Sequence, residues 1–401
     1  MKKNWTKILV GTLCLFGFLL LLVKVNQFEK VPLISTEGQS YEKAIVTKIT
    51  KDNLAEDGQR YGTQEVRVQI KSGVHEGEEF DAVNPSGSLF GMENCEVGSR
   101  VIAIVSTTED NAVVTVYSKD RTSAIYLFLL FFCLIICLIG GKKGIKAIAS
   151  LGFTGICIIY LMFPLMYQGV SPIGITIVVV ILSTLLTLWL LGGVSKKTVS
   201  AVIGTVSGVV AAALAAILFG KAAGITGYNV SDIETLNYVA QNTHVKIGEL
   251  LFAGIIIAAL GATMDVGMSI ASTIQELHER SPKLGTKELF VSGIRVGRDM
   301  MGTMANTLIF AYVGGALSTL VVNYAYNLSY NQLINSYVIG VEIMQGLSGT
   351  LGVVLTVPIT AAAASVLIGH KKAKEEAKAF PDFVDEENGY SETEFEEAGE
   401  F

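Results

Sequence analysis

The sequence predicts an α-helical polytopic membrane protein of about eight transmembrane helices, with a small extracytoplasmic β-rich domain. The composition gives the first indication: 51% of the 401 residues are hydrophobic and 16% are charged, whereas soluble domains carry about 25% charged residues. The second is a series of long apolar runs. The third is glycine, which is frequent (41 residues, against 7 prolines) and which in apolar runs is typical of closely packed membrane helices.

Eight apolar runs are long enough, or nearly so, to cross about 30 Å of hydrocarbon. They occupy residues 8–25, 123–141, 147–167, 173–194, 199–220, 250–271, 300–322 and 347–369. The first run follows a short basic segment, as a signal peptide would, but no small-x-small cleavage site comes after it. We therefore predict that residues 1–29 form an uncleaved anchor and residues 122–370 a seven-helix membrane domain.

Lysine and arginine are unevenly distributed over the short loops. Seventeen lie at the chain ends and in alternate loops, whereas the other short loops hold two, Lys221 and Lys246. Because positively charged loops remain in the cytoplasm, we predict that both termini are cytoplasmic and that residues 30–121 lie outside. The long segment after the first run does not enter this comparison, since large domains translocate regardless of charge.

Residues 30–121 show short runs of alternating polarity between turn signals, which predict strands. Val66, Val68 and Ile70 share one face of such a strand. About five strands in a segment of this length fit a small closed barrel, for which an OB-like fold is one candidate. The predicted strands are residues 41–50, 65–71, 78–83, 100–106 and 112–118. This domain either binds a ligand or partner, or acts as a structural cap.

Two further external segments, residues 228–249 and 326–346, are too polar to span a membrane. Each precedes a membrane run, and their openings, YNVS and YNLS, match at an offset of 98 residues. A parallel repeat of a helix–amphipathic–helix unit, as found in some transporters, explains the match as well as chance does. The segments fit either re-entrant gates or interfacial helices.

The remaining composition excludes several classes of function. The acidic tail, residues 371–401, is predicted to be disordered. No His/Cys spacing resembles a metal site and the one external cysteine, Cys95, has no partner outside the apolar runs, so neither a metal nor another cofactor is expected. No basic, aromatic-rich patch indicates nucleic acid. The expected partners are the lipid bilayer and a small-molecule or ion substrate, with a homo-oligomer left open.

Polar residues within the sixth and seventh apolar runs are the candidate functional site. Asp265 lies roughly 8 Å from the cytoplasmic edge of its run at 1.5 Å per residue, and Asn306 lies about as deep in the next. Arg298 and Asp299 stand at the mouth of the seventh run. A carboxylate at this depth costs roughly 3 kcal/mol in lipid unless it is paired or hydrated, so such a group is functional by default. The structural alternative is an Asp265–Arg298 ion pair between two helices.

Three threonines near these residues could add hydroxyl ligands: Thr263, Thr303 and Thr307. Together with the four polar residues they predict one polar site between helices six and seven. In that site Asp265 binds a cation or proton, Asn306 orients the substrate, and Arg298 attracts or neutralises an anion.

Enzymatic activity is not predicted. The string GLSG at residues 346–349 fits the GxSG motif of rhomboid-type intramembrane proteases, but the histidine that follows it, His370, is about 33 Å away along a straight helix. His244 precedes the serine on another segment. Asp265 lacks the GxGD context of membrane aspartyl proteases, and neither a Walker A string nor an HExxH string is present.

Two strings resemble a known family. GATMDVGMSIAS at residues 261–272 and GRDMMGTMANTL at residues 297–308 resemble the YibE/F family of multi-pass membrane proteins, over most of the chain from the external domain through the eighth helix. The resemblance implies a polytopic protein of the bacterial cell membrane and makes Asp265, Arg298, Asp299 and Asn306 signature positions.

The expected function is that of a secondary transporter or permease-like protein of unknown substrate. Buried polar groups on adjacent helices, small-residue seams and the external amphipathic segments favour it. The alternative is a membrane scaffold or sensor that acts through the external β domain, and an intramembrane protease is the remote alternative.

Overall fold

Two compact units make up the chain: Glu29–Ile148, and Ala149–Phe401 together with Met1–Phe28. The structure is a computed structural model that describes residues 16–28, 30, 33–34, 36–54, 62–85, 94–108, 111–230 and 232–369. The predicted acidic tail, residues 371–401, and the first part of the predicted anchor lie outside the described residues.

The N-terminal unit holds a five-stranded closed barrel, which confirms the predicted β-rich domain. Its strands are β1 (Gln39–Lys51), β2 (Gln64–Ile70), β3 (Glu79–Asn84), β4 (Arg100–Thr108) and β5 (Asn111–Lys119). They follow one another around the barrel in the order β1-β2-β3-β5-β4, with β1 against β4, and the β3–β5 pair is parallel while the others are antiparallel. Each strand matches a predicted run within a few residues.

Alternating apolar side chains fill the barrel. Val46 on β1, Val68 on β2 and Val105 on β4 are completely buried, because every second residue of a strand points to the same face. The interior also holds Cys95, whose thiol is free. Burial raises the pKa of Cys95 to about 11, so the thiol is protonated and unreactive at neutral pH.

Glu42 on β1 is a charged residue inside this unit, with 2% of its surface exposed. Its carboxylate accepts hydrogen bonds from the Ser40 hydroxyl at 2.7 Å and from the backbone N–H of Val74 and His75, and it pairs with the His75 ring Nδ1 at 2.9 Å. Burial alone would raise the pKa of Glu42, but these hydrogen bonds outweigh it and lower the pKa below 4.5. Gly73 makes room for the carboxyl group, since a Cβ there would lie 2.6 Å from the Glu42 Cδ.

The rest of the described chain is helical. The helices are α1 (Phe16–Val25), α2 (Thr122–Ile156), α3 (Phe163–Tyr167), α4 (Pro172–Gly192), α5 (Lys196–Ala223), α6 (Ile233–Asn242), α7 (Leu250–Arg280), α8 (Thr286–Gly315), α9 (Leu317–Ala325), α10 (Tyr330–Ile334) and α11 (Tyr337–Gly369). A π-helical segment, Cys157–Met162, joins α2 to α3, and a short 3₁₀ turn, Ile247–Glu249, leads into α7.

Five helical stretches of the described chain are long and apolar enough to cross a membrane, or six if the bent pair α8–α9 is one span. They are residues 122–167, α4, α5, residues 247–280 and α11. The prediction of about eight spans differs at two places. Of the predicted first span the structure describes the ten-residue helix α1. The predicted second and third spans are counted together as residues 122–167, in which two helices meet at a kink.

That stretch, residues 122–167, is broken at Gly141, whose backbone has φ 51° and ψ −131°. The chain bends sharply at Gly141 and brings Gly144 close to the preceding helix. A Cβ on Gly144 would lie 2.2 Å from the carbonyl oxygen of Ile136, so glycine is required at position 144. At 1.5 Å per residue the whole stretch is about 70 Å long, more than twice the hydrocarbon core, whereas residues 122–140 and 142–167 each suit one crossing.

The second unit is organised around α11, which packs on α5, α7 and α8, while α4 packs on α5 and α7. Glycines let α5 and α11 approach with their backbones in contact. A Cβ on Gly204 would lie 1.7 Å from the Thr360 Oγ1, and one on Gly208 would lie 1.9 Å from the Thr356 Oγ1 and 2.8 Å from the Gly352 carbonyl oxygen. Small residues at helix interfaces permit this approach in membranes.

The order long helix, short helix, long helix occurs twice in this unit, as α5-α6-α7 and as α8-α10-α11. The short helices α6 and α10 lie in the two segments, residues 228–249 and 326–346, whose sequences resemble one another. The second occurrence differs by the bent helix α9, which leaves the axis of α8 at 61°. A parallel repeat therefore stays a prediction, now with a matching order of elements.

Replacing Gly208 by alanine tests the α5–α11 packing. The new methyl group meets the Thr356 hydroxyl, which is held by a 2.8 Å hydrogen bond to the Gly352 carbonyl. Overpacking of this kind costs about 1–3 kcal/mol, so we expect Gly208→Ala to lower the midpoint of thermal unfolding in detergent by several degrees. Gly152→Ala on α2 is the control because nothing lies within 4 Å of its added Cβ. Equal midpoints for both variants would contradict the packing argument.

The Glu42 carboxylate predicts a pH dependence of barrel stability. Because its pKa is lower in the folded than in the unfolded chain, its contribution is complete above the ordinary value of 4.5 and is lost as pH falls through the lowered folded value. Amide hydrogen exchange of β1 and β2 in the full-length protein, corrected for intrinsic rates, should show this loss of protection. Glu42→Gln should reduce protection at pH 7 by about tenfold or more. The control is Asp81→Asn, which removes an exposed pair with Arg67; equal losses in both variants would refute the assignment.

Candidate functional site

The predicted site residues lie on α7 and α8, two consecutive helices of the second unit. The helices contact each other through glycines of α8: a Cβ on Gly293 would lie 2.7 Å from Ile274, and one on Gly297 would lie 3.2 Å from Ile270. The glycine face of α8 therefore packs on α7 and α11, and none of the described residues covers the opposite face of α8.

Asp265 lies on the exposed face of α7. Gly254, Ala258 and Gly261 share that face at spacings of four and three residues, and nothing lies within 4 Å of a Cβ placed on either glycine. Across the part of the chain that the structure describes, Asp265 makes no ion pair. The alternative of a structural Asp265–Arg298 tie is therefore not what the structure shows.

The polar residues of α8 form one exposed face, which we call the α8 polar face. Counted at 100° per residue, Asn306 is opposite Gly297, the most closely packed position of the helix. Two threonine hydroxyls in this region donate to the backbone of their own helix, Thr303 to Met300 and Thr307 to Thr303, each at 2.9 Å. The face consists of Arg298, Asp299, Gly302, Thr303 and Asn306, all of them exposed.

Thr263 has a different environment from the other predicted residues, since it is completely buried. Its hydroxyl donates to the carbonyl oxygens of Ala259 and Leu260 at 2.9 and 3.0 Å, and its own carbonyl accepts from the Thr205 hydroxyl at 3.5 Å. These bonds join α7 to α5. Thr263 stabilises the helix packing and does not face the side of α7 on which Asp265 lies.

The structure thus differs from the expectation that these groups meet inside the bundle. Depth along a helix follows from residue counting, but the direction of each side chain is decided by which face packs. Glycines and buried threonines occupy the interior between α5, α7 and α11, so Asp265 and Asn306 are turned outward. A polar face of this kind can hydrate an ion, bind a polar substrate, or pair with another polar surface.

The structure also contains a cavity that the sequence did not indicate. It has a volume of about 300 Å³ and lies where α8 bends into α9, against the N-terminal part of α11. Its walls are apolar except for Glu342 and Tyr312. The sequence analysis did not place Glu342 in a membrane helix, because the eighth span was predicted to begin at residue 347, whereas α11 begins at Tyr337.

Gly346 and Gly349, which suggested a protease motif, make room for Tyr312. A Cβ on Gly346 would lie 3.8 Å from the Tyr312 Cδ2, and one on Gly349 would lie 3.9 Å from the Tyr312 Oη. Ser348 is buried, and among the described residues no histidine bonds to its hydroxyl. His244 is in contact with Gly169 instead.

Comparison with known proteins places the chain in a family. The YibE/F-like protein family matches residues 127–370, from within α2 to the end of α11. Neither a curated protein nor a solved structure matches the chain. Together with the apolar helices, the match indicates a membrane location, and it includes the strings around Asp265 and Asn306 from which the resemblance was drawn. The chain belongs to the YibE/F-like family.

Proposed function

We propose that this protein is a secondary transporter or permease-like protein of the bacterial cell membrane, and that the exposed polar residues of α7 and α8 border its ion or substrate path. In this proposal the protein has about eight spans, one in the N-terminal anchor and seven in the membrane domain, and both termini are cytoplasmic. Residues 30–121 are extracytoplasmic and OB-like, which the strand order and the parallel β3–β5 pair support.

The observation that carries the proposal is the α8 polar face. Asn306 and Thr303 are exposed on a helix that otherwise continues with Ile309, Phe310 and Val313, which are apolar and exposed. Polar and charged side chains in contact with hydrocarbon are costly, and in membrane proteins they almost always face a bundle interior or a water-filled cavity. A lipid-facing role for this face is therefore disfavoured.

Each polar residue of α7 and α8 has a proposed role that follows from its chemistry. Asp265 has no cationic partner in the described structure, so its carboxylate is free to bind a proton or a cation. Asn306 carries both a donor and an acceptor and suits a polar substrate. Arg298 and Asp299, at the cytoplasmic mouth in the proposed topology, set the charge that an arriving ion meets. The face needs water or a second polar surface opposite it, which a homo-oligomer would supply.

Two glycines beside the polar residues leave room along α7 and α8. Gly261 on α7 and Gly302 on α8 have open space where a Cβ would be, so another backbone or a hydrated ion can come close to both helices. The 61° bend between α8 and α9 is a second feature typical of transporters, in which interrupted helices border the transport path.

The second candidate is a scaffold or sensor that acts through the barrel. Its support is an exposed aromatic residue: Tyr41, with 51% of its surface exposed, packs edge-to-face on the half-buried Tyr117, and exposed aromatics are frequent in binding surfaces. The barrel interior is filled by side chains, so a ligand would bind its outer surface. If the external domain alone reproduced the cellular role of the protein, this candidate would replace the transporter.

Flux measurements test the transport proposal. Proton flux and radiotracer-ion flux across a panel of ions would be measured in proteoliposomes for the wild type, Asp265→Asn and Asn306→Ala. We expect Asp265→Asn to abolish coupled flux, because the amide cannot take up a proton or pair with a cation. Asn306→Ala should reduce flux about tenfold or more, by loss of a hydrogen bond to substrate.

Glu276→Gln is the matched control for these variants. It removes a carboxylate of the same helix that is exposed and paired with Arg280 at 2.7 Å, and it should leave flux unchanged. Each variant should elute from size exclusion as the wild type does. Normal flux in Asp265→Asn, or no flux from folded wild type with any ion, would reject the proposal.

A further inference from the structure

We propose that a second copy of this chain covers the polar side of α8, so that two copies share one polar site around a two-fold axis along the membrane normal. The contact involves four residues that we call the α8 stripe: Arg295, Asp299, Gly302 and Asn306. The inference rests on the proposed function for the orientation of α8 in the membrane, and it names the partner that covers the polar groups of that site.

The spacing of the α8 stripe is that of a helix with a partner helix alongside. Its residues follow one another at intervals of four, three and four, and all of them are exposed. At 100° per residue they lie within about 60° of one another, opposite Gly297, which packs on α7 and α11. Alternating intervals of three and four residues are typical of two helices that run side by side. One side of α8 therefore packs within the chain, and the other has the pattern for a helix of another chain.

Lipid is a poor cover for the deeper half of the stripe. Asn306 lies within the seventh apolar run, and its side-chain amide makes no hydrogen bond to any described residue. An unpaired amide in hydrocarbon is costly, and asparagine in a membrane helix commonly bonds to a neighbouring helix. Gly302 is one turn away and has nothing within 4 Å of an added Cβ, so another helix has room to approach.

Symmetry makes a second copy the suitable partner. Identical chains cross the membrane in the same direction, so each residue of α8 lies at the same depth as its counterpart, and a two-fold axis brings the two together. Every level of the stripe must then be compatible with itself. Gly302 has no side chain to collide. The Asn306 amide both donates and accepts, so two of them can bond to each other directly or through one water.

The charged end of the stripe is complementary to itself as well. Arg295 and Asp299 are one helical turn apart, and in the described structure neither makes an ion pair. Across a two-fold axis, Arg295 of each copy can pair with Asp299 of the other, because the long guanidinium side chain spans one turn. A face of one sign would repel a second copy. This face carries both signs, and two equal ion pairs form.

The same arrangement brings Asp265 to the level of the contact. Gly297 of α8 lies against Ile270 of α7, and counting along these two antiparallel helices from that contact places Asp265 level with Gly302. The shared site therefore has two carboxylates at the level where α8 has no side chain, and the space that the glycines leave is open to water. One copy supplies half of the polar groups, so the site is incomplete without the second.

Disulfide cross-linking in proteoliposomes of low protein density tests the contact. Single cysteines are introduced into the full-length chain after its five natural cysteines are replaced. We expect oxidation by copper phenanthroline to give a dimer band for Gly302→Cys and for Asn306→Cys. The controls are Met304→Cys, on the packed side of α8, and Leu129→Cys, on the exposed apolar surface of α2. Both should stay monomeric, and dimer yields that do not differ between these four positions would overturn the proposal.

Exchange of the two charges tests the contact without cysteines. Stepwise photobleaching of a fluorescent label counts the copies in each particle over a series of protein-to-lipid ratios. We expect Arg295→Asp to raise the dissociation constant about tenfold or more, because carboxylates then face carboxylates. The double variant Arg295→Asp, Asp299→Arg should dimerise as the wild type does. The control is Glu276→Gln, and single copies of the wild type, or a double variant as weak as the single one, would refute the contact.

These readouts separate the inference from the transport proposal. Dimers that cross-link through the stripe but carry no ion support the inference and reject transport. Single copies that still show Asp265-dependent flux overturn the inference and leave the transport proposal in place. If position 306 cross-links to a different protein in native membranes while the purified chain stays single, that protein covers the stripe and the inference is wrong.

Discussion

The backbone contact between α5 and α11 is the constraint on which the membrane unit depends. Gly204 and Gly208 lie so close to Thr360, Thr356 and Gly352 that a methyl group on either glycine would collide with them. Helices that approach to this degree leave no interior space for large polar side chains. The helices that pack around this pair, α7 and α8, accordingly turn their own small residues inward.

The positions of the polar groups on α7 and α8 follow from that packing. On α8 the inward positions are Gly293 and Gly297, so Asn306 is carried to the opposite side. On α7 the inward positions include Thr263 and Gly267, so Asp265 points outward. Where α8 bends into α9 the packing against α11 opens, and the cavity with Glu342 is the result. One tight seam therefore accounts for both the outward polar face and the open cavity.

The sequence predicted those features that depend on periodicity and composition. The five strands of the barrel follow from alternating residues such as Val66, Val68 and Ile70, and the membrane helices follow from long apolar runs. The family followed from the two strings around Asp265 and Asn306. Helix boundaries were predicted less accurately. Helix α11 begins ten residues before the predicted span, because the polar residues Glu342 and Gln345 interrupt the apolar run but not the helix.

Features that depend on contacts between distant residues could not be predicted. Residue counting placed Asp265 and Asn306 at one depth, but which side of each helix faces the bundle depends on glycine contacts with α5 and α11. The break at Gly141 is another example, since the backbone conformation of one glycine decides where the two predicted spans are divided. Tyr312 and Glu342 are 30 residues apart in sequence, and nothing in the sequence indicates that they border the same cavity.

The central claim is that the α8 polar face borders a water path and does not face lipid. The most direct measurement is the reactivity of Asn306→Cys, with the five natural cysteines replaced, toward a charged, membrane-impermeant methanethiosulfonate in proteoliposomes. Leu129→Cys, on the exposed apolar surface of α2, is the reference for a lipid-facing position. The account predicts that the reagent modifies position 306 and leaves position 129 unmodified. If position 306 reacts only with a lipid-soluble maleimide, as position 129 should, the face is in contact with hydrocarbon and the account is contradicted.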